Sequence, residues 1–224
     1  MGRQFLITID GPAGAGKSTL GRRLAQSLGY RYVDSGALYR AVAWQVLHQG
    51  ADPGEAAAVS RVLAEFHPRL TSDSRGFQVA VDGRDITAEL RTPEVSQAAS
   101  RVATLPAVRQ WVGELLRQLA REGGVVAEGR DLGSVVFPEA ECKFYLKADL
   151  TARAARRQRE WQEQGGAPPL AEALQAIAER DQRDQNRENA PLTVPEGAVV
   201  VDTTNLSPEE VAALCLAHIR EKCN

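Results

Sequence analysis

Lysine is almost missing from this chain. Lys17, Lys143, Lys147 and Lys222 are the only lysines among 27 basic residues, so 23 are arginine. Other shortages exclude whole classes of protein. No apolar run approaches the roughly 18 residues that span a bilayer, which argues against a membrane partner. The apolar part of MGRQFLITIDGP is too short for a secretory leader. The Met-Gly start lacks the Ser or Thr that myristoylation wants at position six, where Leu6 stands. Cys142, Cys215 and Cys223 have no metal-ligand or redox spacing, and an odd count without a leader points to reduced thiols and a cytoplasmic location. His48, His67 and His218 are scattered and give a histidine metal centre no support. A net charge of −2, a pI near 6.0 and 5% aromatic residues leave neither the basic excess nor the stacking platforms of a nucleic-acid binder.

What the chain does have is arginine and a regular alternation of apolar runs with helical spacings. Arginine offers a planar five-donor fork that grips phosphate bidentately, whereas lysine is a point charge. GC-rich codons would also raise the arginine count, so the positions of the arginines carry the argument. The 224 residues suffice for one domain with insertions. Residues 5–9 read as a strand and 17–28 as a helix closed by Gly29. Residues 31–33 read as a strand and 37–49 as a helix stopped by Gly50. Between 65 and 90, Leu70, Phe77, Val79 and Val81 alternate with polar residues. Ser74-Arg75-Gly76 and Asp82-Gly83 are turn signals there, so a small antiparallel β insertion is expected. Helices are expected at 92–103 and 106–122, then strands at 125–127 and 143–146. Charged helices at 151–164 and 170–188 flank a hinge-like Gly165-Gly-Ala-Pro-Pro169. A last strand at 198–201 precedes a helix opened by the capping box Ser207/Glu210. Strands alternating with helices predict an α/β fold, a central parallel sheet covered on both faces.

Gly11-Pro-Ala-Gly-Ala-Gly16-Lys17-Ser18 matches the P-loop pattern, with an apolar strand before it and an amphipathic helix after it. Its glycines let backbone N–H groups turn inward around phosphate oxygens, and the helix N-terminus adds its positive dipole end. Lys17 is placed to reach the β- and γ-phosphates of a nucleoside triphosphate, and Ser18 to offer its hydroxyl to Mg²⁺. Three further clusters stand downstream. Asp34-Ser-Gly-Ala-Leu-Tyr-Arg40 opens a helix, which Asp34 or Ser35 can cap, and puts Arg40 one turn in. Glu128-Gly-Arg-Asp131 comes directly after a buried strand, at the end where parallel sheets bind ligands; its Arg-Asp pair is either an internal ion pair or a phosphate clamp beside a hydrogen-bond acceptor. Arg180, Arg183, Asp184 and Arg187 share one helix face. Arg153, Arg156, Arg157 and Arg159 lie across the Gly-Pro break, so the two helices look like a lid that closes over phosphates and excludes water.

Over nearly its whole length the sequence resembles the bacterial cytidylate kinases, within the nucleoside monophosphate kinases. The resemblance rests on ITIDGPAGAGKST, DSGALYR, RTPEVSQAAS, RVATLPAVR, EGRDLGSVVFP, RDQRDQNRENAPL and VVDTTNLSPEEV. It implies a three-layer P-loop kinase fold with a core (1–36, 104–150, 189–224), a monophosphate-binding region with the β insertion (37–103) and a helical lid (151–188). It implies transfer of the γ-phosphoryl group of ATP to CMP or dCMP with Mg²⁺, and a monomer. ATP would be held by Gly11, Pro12, Ala13, Gly14, Ala15, Gly16, Lys17, Ser18 and Thr19. By the same resemblance the acceptor phosphate would meet Arg40, Arg130 and Arg187, with Ser35 close to the acceptor. The cytosine would be read by Ser100, Arg109 and Asp131, and the ribose by Asp184 and Arg180. Lys17, Arg130 and Arg187 would serve the transfer itself.

Two matters stay open at this level. No apolar run ends in an obvious metal-binding acid, so Mg²⁺ coordination beyond Ser18 is unassigned, with Asp10, Asp34 and Glu128 as candidates. Other P-loop classes compete as well. An adenylate- or shikimate-type kinase would differ on the acceptor side. A GTPase switch would need an Asn-Lys-x-Asp motif, and Asn-Lys occurs nowhere.

Overall fold

The computed structural model describes residues 4–74, 76–163, 166, 169–187 and 189–223. Arg75 of the first turn signal and Gly165, Ala167 and Pro168 of the hinge-like break lie outside the described residues.

Five short strands form one parallel sheet: β1 (Leu6–Asp10), β2 (Arg31–Asp34), β6 (Val125–Glu128), β7 (Cys142–Lys147) and β8 (Val199–Asp202). They lie in the order β2-β6-β1-β7-β8, with Ile9 opposite Glu128 on one side and Phe144 on the other. The central strands are apolar because helices cover both faces; Ile7, Ile9, Val126, Phe144 and Leu146 have no accessible surface. The register decides which side chains meet. Asp10, Asp34, Glu128 and Asp202 all sit at the carboxyl ends of their strands, so the sheet presents a row of acids at one edge. That edge, where the order reverses on either side of β1, is the crevice in which open α/β sheets take ligands.

The helices are α1 (Lys17–Leu28), α2 (Ser35–His48), α3 (Ala56–Glu65), α4 (Pro93–Val102), α5 (Pro106–Ala120), α6 (Leu150–Glu163), α7 (Leu170–Gln185) and α8 (Pro208–Cys223). α1 spans the expected residues and ends on Gly29 at φ 68°. Asp34 caps α2, its Oδ1 accepting from the Ala37 N–H at 3.0 Å. Thr92 caps α4 in the same way, and Ser207 and Glu210 form the expected reciprocal box at the start of α8. α3 is an addition to the expected elements, although Val59, Val62 and Leu63 are spaced for one buried helical face.

The β insertion forms as expected: β3 (Arg69–Ser72), β4 (Phe77–Val81) and β5 (Arg84–Asp85) pair antiparallel. Asp82 and Gly83 turn the hairpin with φ of 50° and 80°. Phe77, Val79 and Val81 face inward and join the main core. A small second cluster, Ala154, Ala173 and Ile177 with Trp161 and Leu174, holds α6 to α7. Among the described residues no helix is long and apolar enough to cross a membrane.

One glycine ties the sheet to the loop after β1. Gly11 has φ 143°, and a Cβ there would run into the Leu146 carbonyl of β7. Gly11→Ala should therefore destabilise the chain by about 3 kcal/mol or more, since both the backbone angle and the β7 contact must give. Equal unfolding midpoints in urea would contradict this packing.

Candidate functional site

The turn between β1 and α1 wraps into a cradle. Gly14 and Gly16 take φ of 75° and 95°, which frees the N–H groups at the start of α1. Lys17 folds over this cradle, its Nζ donating to the Pro12 carbonyl at 2.8 Å. Burial, and next the Arg130 guanidinium, lower the Lys17 ammonium from its ordinary value to about 7. Across from it, burial and the neighbouring Asp34 push the Glu128 carboxyl up, while Lys17 and hydrogen bonds from Ser18 and Tyr32 pull the other way. Glu128 thus ends the apolar run Val125–Ala127 and, of the three acids that the sequence leaves open, is the one whose carboxyl Ser18 pulls down.

The cradle is the floor of a cleft of about 660 Å³. Ala13, Gly14, Gly16, Lys17, Ser18 and Thr19 line it, with Ser35, Arg40, Ser100, Arg130, Asp131, Arg157, Arg180, Asp184 and Arg187. These come from the P-loop turn, α1, α2, α4, the loop after β6, α6 and α7, while Arg187 lies past the end of α7 at Gln185 rather than on the helix face expected to carry it; most of the expected site residues still meet in one place. Gly11, Pro12 and Ala15 form the back of the cradle and do not line the cleft.

Asp184 organises the cationic end. Its Oδ2 accepts from Arg130 Nε at 3.0 Å, and Arg187 and Arg180 approach at 3.6 and 3.9 Å. Burial would raise the Asp184 carboxyl, but these three cations outweigh it and hold it below the usual carboxylate range. The cations are less comfortable: burial, then Arg130, lower Arg180 to about 9. Three buried guanidinium nitrogens, Arg40 Nε, Arg180 Nε and Arg187 Nη2, have no hydrogen-bond partner. Buried donors left unmade are costly, and their convergence on one cleft marks a place for an anion.

Arg130 and Asp131, adjacent in sequence, do not pair with each other. Asp131 pairs instead with Arg109, which also donates to the Ala103 carbonyl at 3.2 Å. Arg109 stands behind the cleft wall and lies over the Tyr39 ring at 5.8 Å. Tyr39 itself lines the cleft, and burial pushes its hydroxyl up to about 12. Sequence reasoning passes over it, although it stands beside Arg40 in DSGALYR. Arg40 is held by Asp34 at 2.8 Å, and Ser35 Oγ donates to the Glu128 carbonyl at 2.7 Å.

Two expectations need correction. Asp10 is no metal ligand of the cleft. Its two oxygens accept the Leu132 and Gly133 N–H groups at 2.9 and 2.7 Å, fixing the π-helical turn Leu132–Val136 that comes after Arg130 and Asp131. Burial raises its carboxyl to about 6, with those two bonds opposing. Arg153 and Arg156 do not face the cleft either. Arg153 Nη1 reaches the Ala13 carbonyl at 3.1 Å and Asp181 at 2.5 Å. Arg156 reaches the Gly14 carbonyl and Thr203. Both clamp the cradle from outside. Arg159 is exposed on α6. Of the four, Arg157 alone borders the cleft, its guanidinium 5.0 Å from the Trp161 ring centroid.

The family model described as Cytidylate kinase matches residues 7–221. The chain belongs to the cytidylate kinase family. A cytidylate kinase from Shewanella pealeana is 39% identical over 98% of this chain and 96% of its own. A bifunctional pantoate ligase/cytidylate kinase from Synechococcus elongatus is 46% identical over 99% of this chain, which spans 43% of that relative's length. Among solved structures, a shikimate kinase from Bacteroides thetaiotaomicron superposes with a TM-score of 0.51 at 13% identity, covering 98% of this chain and 99% of its own. That likeness shows the P-loop kinase fold.

The charge balance of this family member's cleft can be tested without substrate. Asp184→Asn strands the Arg130, Arg180 and Arg187 guanidiniums together, at a cost of about 3 kcal/mol. Inorganic phosphate should restore more of the lost melting temperature in Asp184→Asn than it adds to the wild type. Equal phosphate shifts would mean that these cations do not form an anion site.

Proposed function

We propose that this protein transfers the γ-phosphoryl group of ATP to CMP, with dCMP as a second acceptor, giving CDP or dCDP. The observation that carries the reading is the gathering of Arg40, Arg130, Arg180 and Arg187 in the same cleft as the P-loop, with buried nitrogens of Arg40, Arg180 and Arg187 that make no hydrogen bond. A kinase whose acceptor is itself a phosphate needs such donors there; an alcohol acceptor does not.

Each part then has a task. The cradle N–H groups and Lys17 hold the β- and γ-phosphates of ATP. Arg40, Arg130 and Arg187 hold the acceptor phosphate in line with them. Asp184 and Arg180 take the ribose. Helices α6 and α7 act as the lid, residues 37–103 serve the acceptor, and the remaining chain is the core. No residue is needed as a general base, because the acceptor oxygen is already anionic; positioning and charge neutralisation suffice.

Ser18 and Glu128 fit Mg²⁺. Mg²⁺ prefers one or two protein oxygens and completes its shell with water and phosphate. Among the described residues no group of three or more acidic, histidine or cysteine side chains could cage a metal alone. Glu128 is a carboxylate raised by burial and then by Asp34, a strain that a cation would relieve. When bound, Mg²⁺ would neutralise charge developing on the β- and γ-oxygens.

Ser100, Arg109 and Asp131 read the base. Arg109 takes Asp131 Oδ2, leaving Oδ1 for the cytosine amino group. Uracil presents a carbonyl there instead, so a charged acceptor would face another acceptor.

The direct test is an acceptor panel with ATP and Mg²⁺, read as kcat/KM. CMP should exceed UMP by at least about tenfold, taking about 1.4 kcal/mol per decade, and AMP and shikimate should be poor. Faster turnover of AMP than CMP would overturn the reading. A second test uses Lys17. Phosphates next to it should restore its proton, so ATP binding at pH 8 should take up protons, seen by calorimetry in buffers of differing ionisation heat. Lys17→Arg, always protonated, should show less uptake. Equal uptake by both would remove Lys17 from the phosphate site.

A further inference from the structure

Arg183 is the cation of the 180–187 face that the proposed reaction leaves without a role. It stands on α7, and its Nη1 donates to the Ser100 hydroxyl of α4 at 2.8 Å, across 83 residues of sequence. The next residue, Asp184, takes Arg130 from the loop after β6. Two adjacent α7 side chains thus hold the two walls of the acceptor end of the cleft.

We propose that Arg183 is a positioning residue for acceptor selection: it fixes the Ser100 hydroxyl, and it does so only while α7 lies against α4. The inference rests on the CMP kinase reading. A serine hydroxyl has three staggered rotamers and a freely turning proton. A guanidinium N–H that donates to it selects one rotamer and occupies one of its two lone pairs. The remaining lone pair and the proton are then presented to the nucleoside in one arrangement. The bond is charge-assisted, so it is stronger than a contact between neutral groups.

The other half of base recognition is built differently. Arg109 and Asp131 hold each other, and Arg109 is further anchored by the Ala103 carbonyl; among the described residues neither side chain makes a hydrogen bond to α7, whose Asp184 acts on Arg109 only through its charge. One side of the base pocket is therefore fixed in the body of the protein, while the other is completed by the lid. Discrimination between CMP and UMP then becomes sharper as the lid closes. Arg183 is exposed, fills no core, and donates otherwise to the Glu179 carbonyl of its own helix. Its replacement leaves the packing of α7 intact.

The test compares kcat/KM for CMP and UMP in the wild type, Arg183→Ala, Arg183→Lys, Ser100→Ala and the Arg183→Ala/Ser100→Ala double variant. Arg183→Ala should lower the CMP-over-UMP ratio about tenfold, the size of one charge-assisted hydrogen bond, with the ATP KM unchanged. Arg183→Lys should recover part of the ratio. Arg183→Ala should change the ratio no further once Ser100 is alanine. The proposal fails if Arg183→Ala leaves the ratio intact, if the two acceptors lose activity equally together with melting temperature, or if the two substitutions act independently. A wild type that does not prefer CMP overturns the reaction itself, and this assignment with it. A wild type that prefers CMP, with an unmoved ratio in Arg183→Ala, overturns the assignment alone.

Discussion

The cleft is governed by the repulsion among buried guanidiniums and the one carboxylate that counters it. Asp184 stands between Arg130, Arg180 and Arg187, and each of the three is lowered or held in place by what the others do to it. A single negative charge cannot satisfy them. The positive potential around Asp184, where three guanidiniums meet one carboxylate, favours an anion at that point of the cleft. It also sets a cost on the unliganded state, because buried donors remain unmatched. Binding energy from an acceptor phosphate is thereby available for gathering α2, α7 and the loop after β6 around it. The same arrangement explains why arginine rather than lysine is used. A guanidinium can donate to Asp184 through one nitrogen and keep others for the ligand, whereas a lysine would have to rotate one ammonium between the two.

At the P-loop the constraint is geometric. The carboxyl edge of the parallel sheet collects acids from neighbouring strands, and each has acquired a different task. Asp34 caps a helix and holds Arg40. Glu128 stays beside Lys17 and Ser18. Asp10 is turned inward to tie down the backbone after Asp131. Strand register alone brings them to one edge; what separates their roles is which partner each finds within hydrogen-bond reach.

Much of this is legible in the sequence, and the rest is hidden for a common reason. The cradle and α1 are readable because glycine spacing, the preceding strand and the helical leucines are all local signals. The β insertion is readable from alternation and the Asp82-Gly83 turn. The meeting of Arg40, Arg130 and Arg187 in one cleft is readable because they stand in motifs that occur together. The direction of long side chains is not. Arg153 and Arg156 share a helix with Arg157, yet they meet carbonyls of the cradle while Arg157 meets the cleft and Trp161. Periodicity gives a helix face, but not which neighbouring element that face will meet. Asp10 misleads for a similar reason: its partners are backbone N–H groups more than 120 residues away, and no sequence pattern advertises them. α3 escapes notice because it is short and lies between stronger punctuation.

The outside clamp has a mechanical meaning. Arg153 and Arg156 join the first turns of α6 to the carbonyls of Ala13 and Gly14, and Thr203 after β8 joins the same knot through the Ala15 carbonyl. The start of α6 is therefore rooted in the P-loop turn itself. A helix rooted in this way cannot swing from its origin like a door. Its free travel begins beyond Arg156, toward Trp161 and the far end of α7. The start of α6 and the P-loop turn thus share one hydrogen-bonded knot, so a displacement of either must be accommodated by the other.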